Sequence, residues 1–219
     1  MTKINKLQLA AAIMGILAFA LIIRSDELGY AYYYRGEFSR SLDGLIERAK
    51  DGEPTAAMLL GFIYTFGKGR DNNYAIASGW YIKQVQMGDI KGIRHFLHNA
   101  FLMHPVDPND VSGQRCRTAI NLLELAARAG DLGANIDLGR KYRSGSCVEQ
   151  SAVNAARYFR NVSGMERQLS YLFESVLQNL TKSELVQLKT FSAAVDVKPS
   201  VNEIIEKMLQ SVPVLIAPN

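Results

Sequence analysis

The stretch GEPTAAMLLGFIYTFGKGRDNNYAIASGWY, residues 52–81, decides the fold because a second copy of its skeleton follows at residues 130–159, GDLGANIDLGRKYRSGSCVEQSAVNAARYF. Glycines, alanines and aromatic residues recur in both copies at the same spacing without a gap. The matched positions, expected to form the repeat core, are Gly52, Gly61, Tyr64, Gly67, Ala77, Trp80 and Tyr81 in the first copy and Gly130, Gly139, Tyr142, Gly145, Ala155, Tyr158 and Phe159 in the second. Such an internal repeat indicates an array of small structural units.

Each copy predicts a pair of helices, A and B, joined by a loop. Apolar residues at helical spacing around Gly61 predict helix A, and Gly61 is expected to let another helix backbone approach closely. Gly67 and Gly69 are expected to end helix A because glycine readily adopts the positive φ of a helix C-terminus. The apolar stripe that includes Trp80 and Tyr81 predicts helix B, with the rings in the core, where they fill the gap between neighbouring helix pairs.

A single helix pair cannot bury its own apolar faces, so several pairs must stack on one another. Glycines that end helix B recur at Gly52, Gly88 and Gly130. They divide the chain into predicted units at residues 25–51, 52–87, 88–129 and 130–164. A proline-containing insertion at residues 104–110 lengthens the third unit.

The repeat signature stops after residue 164. Two capping boxes, one at Thr181 and one at Ser200, predict further helices. Residues 165–219 are therefore interpreted as a helical cap that covers the last apolar face, followed by a tail. The tail, SVPVLIAPN, is predicted to be either a docked extended segment or a free end.

The repeat resembles the Sel1-like repeat, a relative of the tetratricopeptide repeat. The residues that carry the resemblance are Gly52, Leu60, Gly61, Tyr64, Gly67, Gly69, Ala77, Trp80 and Tyr81. It covers about residues 36–164, with three departures: residues 92–103 lack the LGxxY core, Leu122-Leu123 replaces the aromatic pair, and Cys147 stands where the second loop glycine belongs. The resemblance implies an all-α, right-handed α-solenoid that binds proteins and has no activity of its own.

Residues 7–23 form an uncharged run, LQLAAAIMGILAFALII, that could span a bilayer as a helix. We interpret this run as an uncleaved transmembrane anchor after a short cytoplasmic segment, residues 1–6. The alternative is a signal peptide with its cleavage site at Ala18-Phe19-Ala20. Lys3 and Lys6 favour a cytoplasmic N-terminus. The expected location is the inner membrane, single-pass, with the repeats in the periplasm, or the periplasm itself after cleavage.

Charge and motifs exclude several functions. The net charge of +4 owes much to the N-terminal segment, and without a basic stripe nucleic-acid binding is not expected. His95, His98 and His104 could suggest a metal site, but no cysteine or carboxylate stands at ligand spacing. No phosphate loop, nucleophile elbow, HExxH or CxxC motif occurs. Hence we expect no enzyme activity, cofactor, metal or small-molecule substrate.

Two functions fit these observations. The first is a membrane-tethered periplasmic scaffold or adaptor for an envelope machine, one of secretion, motility, polysaccharide or cell-wall assembly. The alternative is an immunity or inhibitor protein that neutralises an envelope-acting toxin. Either would bind a protein on the concave side of the solenoid, which the A helices line. The expected contact positions are Glu53, Thr65, Lys91, Arg94, His98, Asn135 and Arg140.

The two cysteines stand near the loops that join helices A and B. Cys116 opens helix B of the third unit, and Cys147 lies in the loop of the fourth. Because successive loops of a solenoid stack along one edge, the two side chains should be neighbours. An oxidising compartment would then favour a disulfide between them, whereas a cytoplasmic domain would carry two unpaired thiols.

Overall fold

The computed structural model describes Met14 and residues 28–163, 169–190 and 198–216. Within these ranges the chain forms helices, turns and loops but no strand, which confirms the all-α prediction. The helices are α1 (28–34), α2 (Phe38–Lys50), α3 (Pro54–Phe66), α4 (Tyr74–Gln86), α5 (Gly92–Met103), α6 (Gln114–Ala129), α7 (Leu132–Ser144), α8 (Ala152–Ser163), α9 (Ser170–Leu177), α10 (Lys182–Thr190) and α11 (Val201–Leu215).

The first eight helices follow one another as A and B helices of four pairs. α3 packs on α4 and α7 packs on α8, while α2 contacts α3, α4 contacts α5 and α6 contacts α7. Each pair therefore rests on the pair before it, as expected of a stacked array. The predicted membrane span, residues 7–23, lies outside the described residues except for Met14. Among the described helices, none combines the length and the apolar character needed to cross a bilayer.

Loop chemistry sets the ends of the repeated helices. Gly67, in the left-handed conformation, closes α3, and the side chain of Asn73 accepts a hydrogen bond from the Ile76 amide to begin α4. In the other copy Gly145 closes α7 in the same way. Cys147, which replaces the loop glycine Gly69, also keeps a positive φ, 63° against 70°. The backbone of the loop is thus retained although its side chain has changed.

The repeated spacing of glycines and rings in the two copies has a direct packing explanation. A Cβ at Gly61 would overlap the ring of Tyr81, and a Cβ at Gly139 would overlap the ring of Phe159. The expectation that a helix backbone approaches Gly61 was therefore wrong in one respect: an aromatic side chain of helix B fills the space. Each glycine lets its helix pair close around a ring.

Trp80 and Tyr142 lie between apolar clusters, and for Trp80 this is the predicted gap between neighbouring helix pairs. The correction concerns their burial, since both were also expected in the core. Both side chains are only partly buried. Trp80 packs against the apolar cluster of α2 and α3 and against the larger cluster of α4 to α6, and Tyr142 joins that larger cluster to the one formed by α8 and α9. These rings connect neighbouring units.

The C-terminal helices divide into two groups. α9 and α10 pack on α8, where a terminal cap would lie. α11 instead packs against α4, α5 and α6, in the middle of the array, so the described helices of the predicted C-terminal cap do not form one cap. Its last turn is held by the His104 ring, 3.1 Å from the Ile216 carbonyl oxygen, and by Arg115 Nε, which donates to the Val214 carbonyl oxygen at 3.1 Å. The tail is helical as far as Leu215, not extended.

Candidate functional site

The structure separates the seven expected contact positions into three groups. Lys91, His98 and Arg140 are exposed. Glu53 and Arg94 are partly buried and engaged in ion pairs, while Thr65 and Asn135 are buried. Only the first group is available for a partner without rearrangement.

Thr65 is a correction to the sequence-based prediction, since it is 2% exposed. Its hydroxyl donates to Asn99 Oδ1 at 2.9 Å, so the Tyr81 hydroxyl, 3.0 Å away, donates to Thr65. Asn99 Nδ2 in turn donates to Ser78 Oγ at 2.8 Å. This buried network joins α3, α4 and α5.

Asn135 is the second correction, because it links helices inside the array. Its Nδ2 donates to the Asp131 carbonyl oxygen at 3.0 Å, and its Oδ1 accepts from Asn161 Nδ2 at 3.0 Å. The residue therefore stabilises the α7–α8 pair and does not face a partner.

Glu53 and Arg94 tie successive elements together. Glu53 accepts from the Tyr30 hydroxyl at 2.8 Å and from Arg48 at 2.7 Å, and these two bonds, Arg48 first, lower the pKa of its carboxyl. Arg94 Nε lies 2.8 Å from Asp131 Oδ2, and the other oxygen of Asp131 accepts from the Gly133 amide to cap α7. Both positions are occupied by intramolecular bonds.

The A helices of three successive units, α3, α5 and α7, each carry an exposed side chain at an equivalent position. Phe62, His98 and Arg140 each stand at the same distance after the glycine that opens their unit, Gly52, Gly88 or Gly130. All three side chains are exposed. The repeat thus presents an aromatic ring, an imidazole and a guanidinium in order along one face, which we call the A face.

Aromatic rings extend this row across three helix pairs. We call the set Tyr33, Tyr34, Phe62, Phe66 and His98 the aromatic ladder. Its ring centroids are separated by 5.5 Å from Tyr34 to Tyr33, 6.5 Å from Tyr33 to Phe62, 4.5 Å from Phe62 to Phe66 and 6.1 Å from Phe66 to His98. Phe62 and Phe66 remain 38% and 42% exposed. Contiguous apolar surface of this kind is a candidate site of interaction.

The ladder ends at a surface cleft of about 280 Å³, which we call the charged cleft. His98 belongs to both, and the other residues that matter here are Arg94, Phe101, Asp137, Arg140 and Lys141. Burial raises the pKa of the Asp137 carboxyl and lowers the pKa of the Lys141 ammonium. The Lys141 nitrogen lies 6.0 Å from the Phe101 ring centroid. Among described residues, the side chains of Asp137, Arg140 and Lys141 form no hydrogen bond or ion pair.

Phe62 and Phe66 were missed by the sequence-based prediction, which already contained His98 and Arg140. The signal that could have found Phe62 is its equivalence to those two positions. Phe66 follows Phe62 by one helical turn and therefore lies on the same side of α3.

The three histidines do not form a common site. The ring of His95 lies 3.0 Å from Gln84 Oε1, and burial lowers its pKa, while His98 is exposed on the ladder and His104 contacts α11. In the part of the chain that the structure describes, no cluster of three or more potential ligands could hold a metal ion.

Solved structures show which fold this is. A Sel1 repeat protein from Oxalobacter formigenes superposes with a TM-score of 0.56 at 18% identity, over 80% of this chain and 74% of that one. A protective antigen of uropathogenic Escherichia coli with an SLR fold matches at a TM-score of 0.36 and 20% identity, and the aligned region covers 90% of this chain but only 49% of the antigen. No protein-family model matches the sequence, and no curated protein is significantly similar to it. The first superposition shows that the chain has the fold of Sel1 repeat proteins.

Proposed function

We propose that this protein is a scaffold without catalytic activity that binds a segment of a partner protein on its A face, through the aromatic ladder. The observation that carries the proposal is the continuous series of ring contacts across three helix pairs, in which Tyr34, Phe62, Phe66 and His98 are exposed and Tyr33 is partly buried. Exposed rings in van der Waals reach of one another provide apolar area for a partner, and their fixed positions reduce the entropy lost on binding.

The proposal includes a cellular location. The apolar run at residues 7–23 would tether the scaffold to the inner membrane, with the repeats in the periplasm. The disulfide between Cys116 and Cys147 supports an oxidising compartment. In that setting the most consistent role is an adaptor that assembles components of an envelope machine.

The test is affinity capture from mild-detergent extracts with the full-length protein, its Phe62→Ser/Phe66→Ser variant, and a control variant. The control, Ile76→Ser, alters an apolar side chain of similar exposure on α4, a B helix. Proteins bound by the wild type and the control should be lost with the ladder variant, while circular dichroism shows equal helicity. Equal capture by all three proteins would contradict the proposal. Capture of a single stoichiometric toxin would replace the adaptor role by that of an inhibitor.

A further inference from the structure

We infer that the A face selects a partner segment that carries large apolar side chains and, at one end of them, an acidic side chain, with the apolar groups on the aromatic ladder and the acid in the charged cleft. This inference rests on the proposed function and adds the chemical class of the segment. It follows from the order of side chains along the row, from the unpaired cations at its end, and from the composition of the cleft.

The order of side chains along the A face sets the spatial order of the groups that a bound segment must present. Phe62, His98 and Arg140 are equivalent positions, so they lie in unit order along the same face. Ring contacts connect Phe62 to His98 through Phe66, and His98 and Arg140 line the same cleft. A segment that lies along this row meets apolar surface first and charge second.

The available charge in the cleft is positive. Arg94 and Asp131 neutralise each other at 2.8 Å. Arg140 and Lys141 then remain against the single carboxyl of Asp137, and neither cation is held by a hydrogen bond or ion pair within the described chain. The ammonium of Lys141 is partly buried and has lost part of its hydration. A bound carboxylate would compensate for that loss. A basic side chain would instead face two cations.

The carboxylate is that of an acidic side chain rather than a chain terminus. Apart from ionisable groups, the cleft is lined only by Leu97, Phe101 and Leu123. No asparagine, glutamine, serine or threonine among the lining residues is placed to bond the peptide backbone that a terminal carboxylate would bring with it. Among the described lining residues, the cleft therefore offers charged groups but no neutral amide or hydroxyl side chain for the peptide backbone beside a chain end.

A library of random peptides displayed on phage tests the inference when it is panned on the full-length, oxidised protein in mild detergent. Parallel pannings use the ladder variant Phe62→Ser/Phe66→Ser, the cleft variant Arg140→Glu/Lys141→Glu, and a control, Arg117→Glu/Arg128→Glu. The control makes the same change in net charge on exposed positions of α6, a B helix.

The wild type and the control should enrich peptides in which Asp or Glu stands at one end of a group of large apolar residues. The cleft variant should lose that preference and favour Lys or Arg. For the best synthetic peptide, replacing the acid by its amide should weaken binding to the wild type about 3-fold, and this difference should shrink as salt is raised.

Two negative results have different meanings. In the first, the wild type enriches peptides that the ladder variant does not, but these peptides show no preference for Asp or Glu. This result would overturn the inference and leave the proposed function standing. Failure of the wild type to enrich any peptide over the ladder variant would overturn both.

Discussion

The ring of Tyr81 packs against Gly61 so closely that a Cβ on the glycine would overlap it. The other end of the ring is fixed as well, because the Tyr81 hydroxyl is hydrogen-bonded to Thr65, on the same helix as Gly61. Tyr81 is therefore held at two points of α3. This pairing explains why glycine and an aromatic residue recur together in the repeat.

Gly61→Ala should consequently lower the free energy of unfolding by about 1 to 3 kcal/mol, since the ring cannot move without breaking its hydrogen bond. Urea denaturation measures the loss. Gly79→Ala is the matched control, because Gly79 lies inside α4 with open space where its Cβ would go. That substitution should stabilise the protein by about 0.5 to 1 kcal/mol. Equal effects of the two changes would contradict the packing explanation.

The buried network around Thr65 gives a second prediction. Thr65→Val keeps the shape of the side chain but leaves Asn99 Oδ1 and the Tyr81 hydroxyl without their partner, at an expected loss of about 1 to 3 kcal/mol. Thermal and urea unfolding report the change. Thr55→Val, at an exposed position on the same helix, should alter stability by less than about 0.5 kcal/mol. A similar small effect at Thr65 would show that the network contributes little.

The sequence predicted the helix pairs and their loops because those features depend on local geometry. It did not distinguish the buried Thr65 from the exposed Phe62. α3 is apolar on nearly all sides, so hydrophobic periodicity could not identify the face that remains open. The position of α11 was also beyond prediction, since contact with α4 and α6 depends on packing between distant parts of the chain. The cysteine pair, by contrast, followed from the register of the repeats.

The disulfide prediction is confirmed: Cys116 and Cys147 are bonded, with their Cα atoms 5.0 Å apart. Opening this bridge, which spans a sequence separation of 31, should lower stability by roughly 3.5 kcal/mol in the chain-entropy model. Because Cys147 has a positive φ, two variants that both lack the disulfide should differ in stability. Cys116→Ala/Cys147→Gly should be about 1 kcal/mol more stable than Cys116→Ala/Cys147→Ala, because glycine adopts that conformation without strain. If the unfolding curves of the two variants coincide, the positive φ at residue 147 does not cost stability and the prediction is wrong.

Asp137 predicts a pH dependence of stability. Burial raises the pKa of its carboxyl above the usual value of 3.8, in spite of opposing effects from Arg94, Arg140 and Lys141. A raised pKa means that the residue supports the fold at low pH and that this support is lost as pH rises through the folded-state pKa. Asp137→Asn should therefore become more stable relative to the wild type as pH increases from about 3.8, and the gain should level off once the pH exceeds the folded-state pKa. A difference in unfolding free energy that stays constant over this range would refute the assignment.

The last prediction concerns α11, which the structure makes part of the central core. Ile204, Met208 and Leu215 are buried in the cluster that α4, α5 and α6 form. Met208→Ala should therefore cost about 2 to 5 kcal/mol and should shift the unfolding of the central pairs, not of the C-terminus alone. Leu209→Ala is the matched control because that neighbouring side chain is 54% exposed, and its replacement should have little effect. Hydrogen exchange resolves the two cases: faster exchange at α4 and α6 in the Met208 variant supports this docking, whereas exchange increased only within α11 would show that the helix is peripheral to the fold.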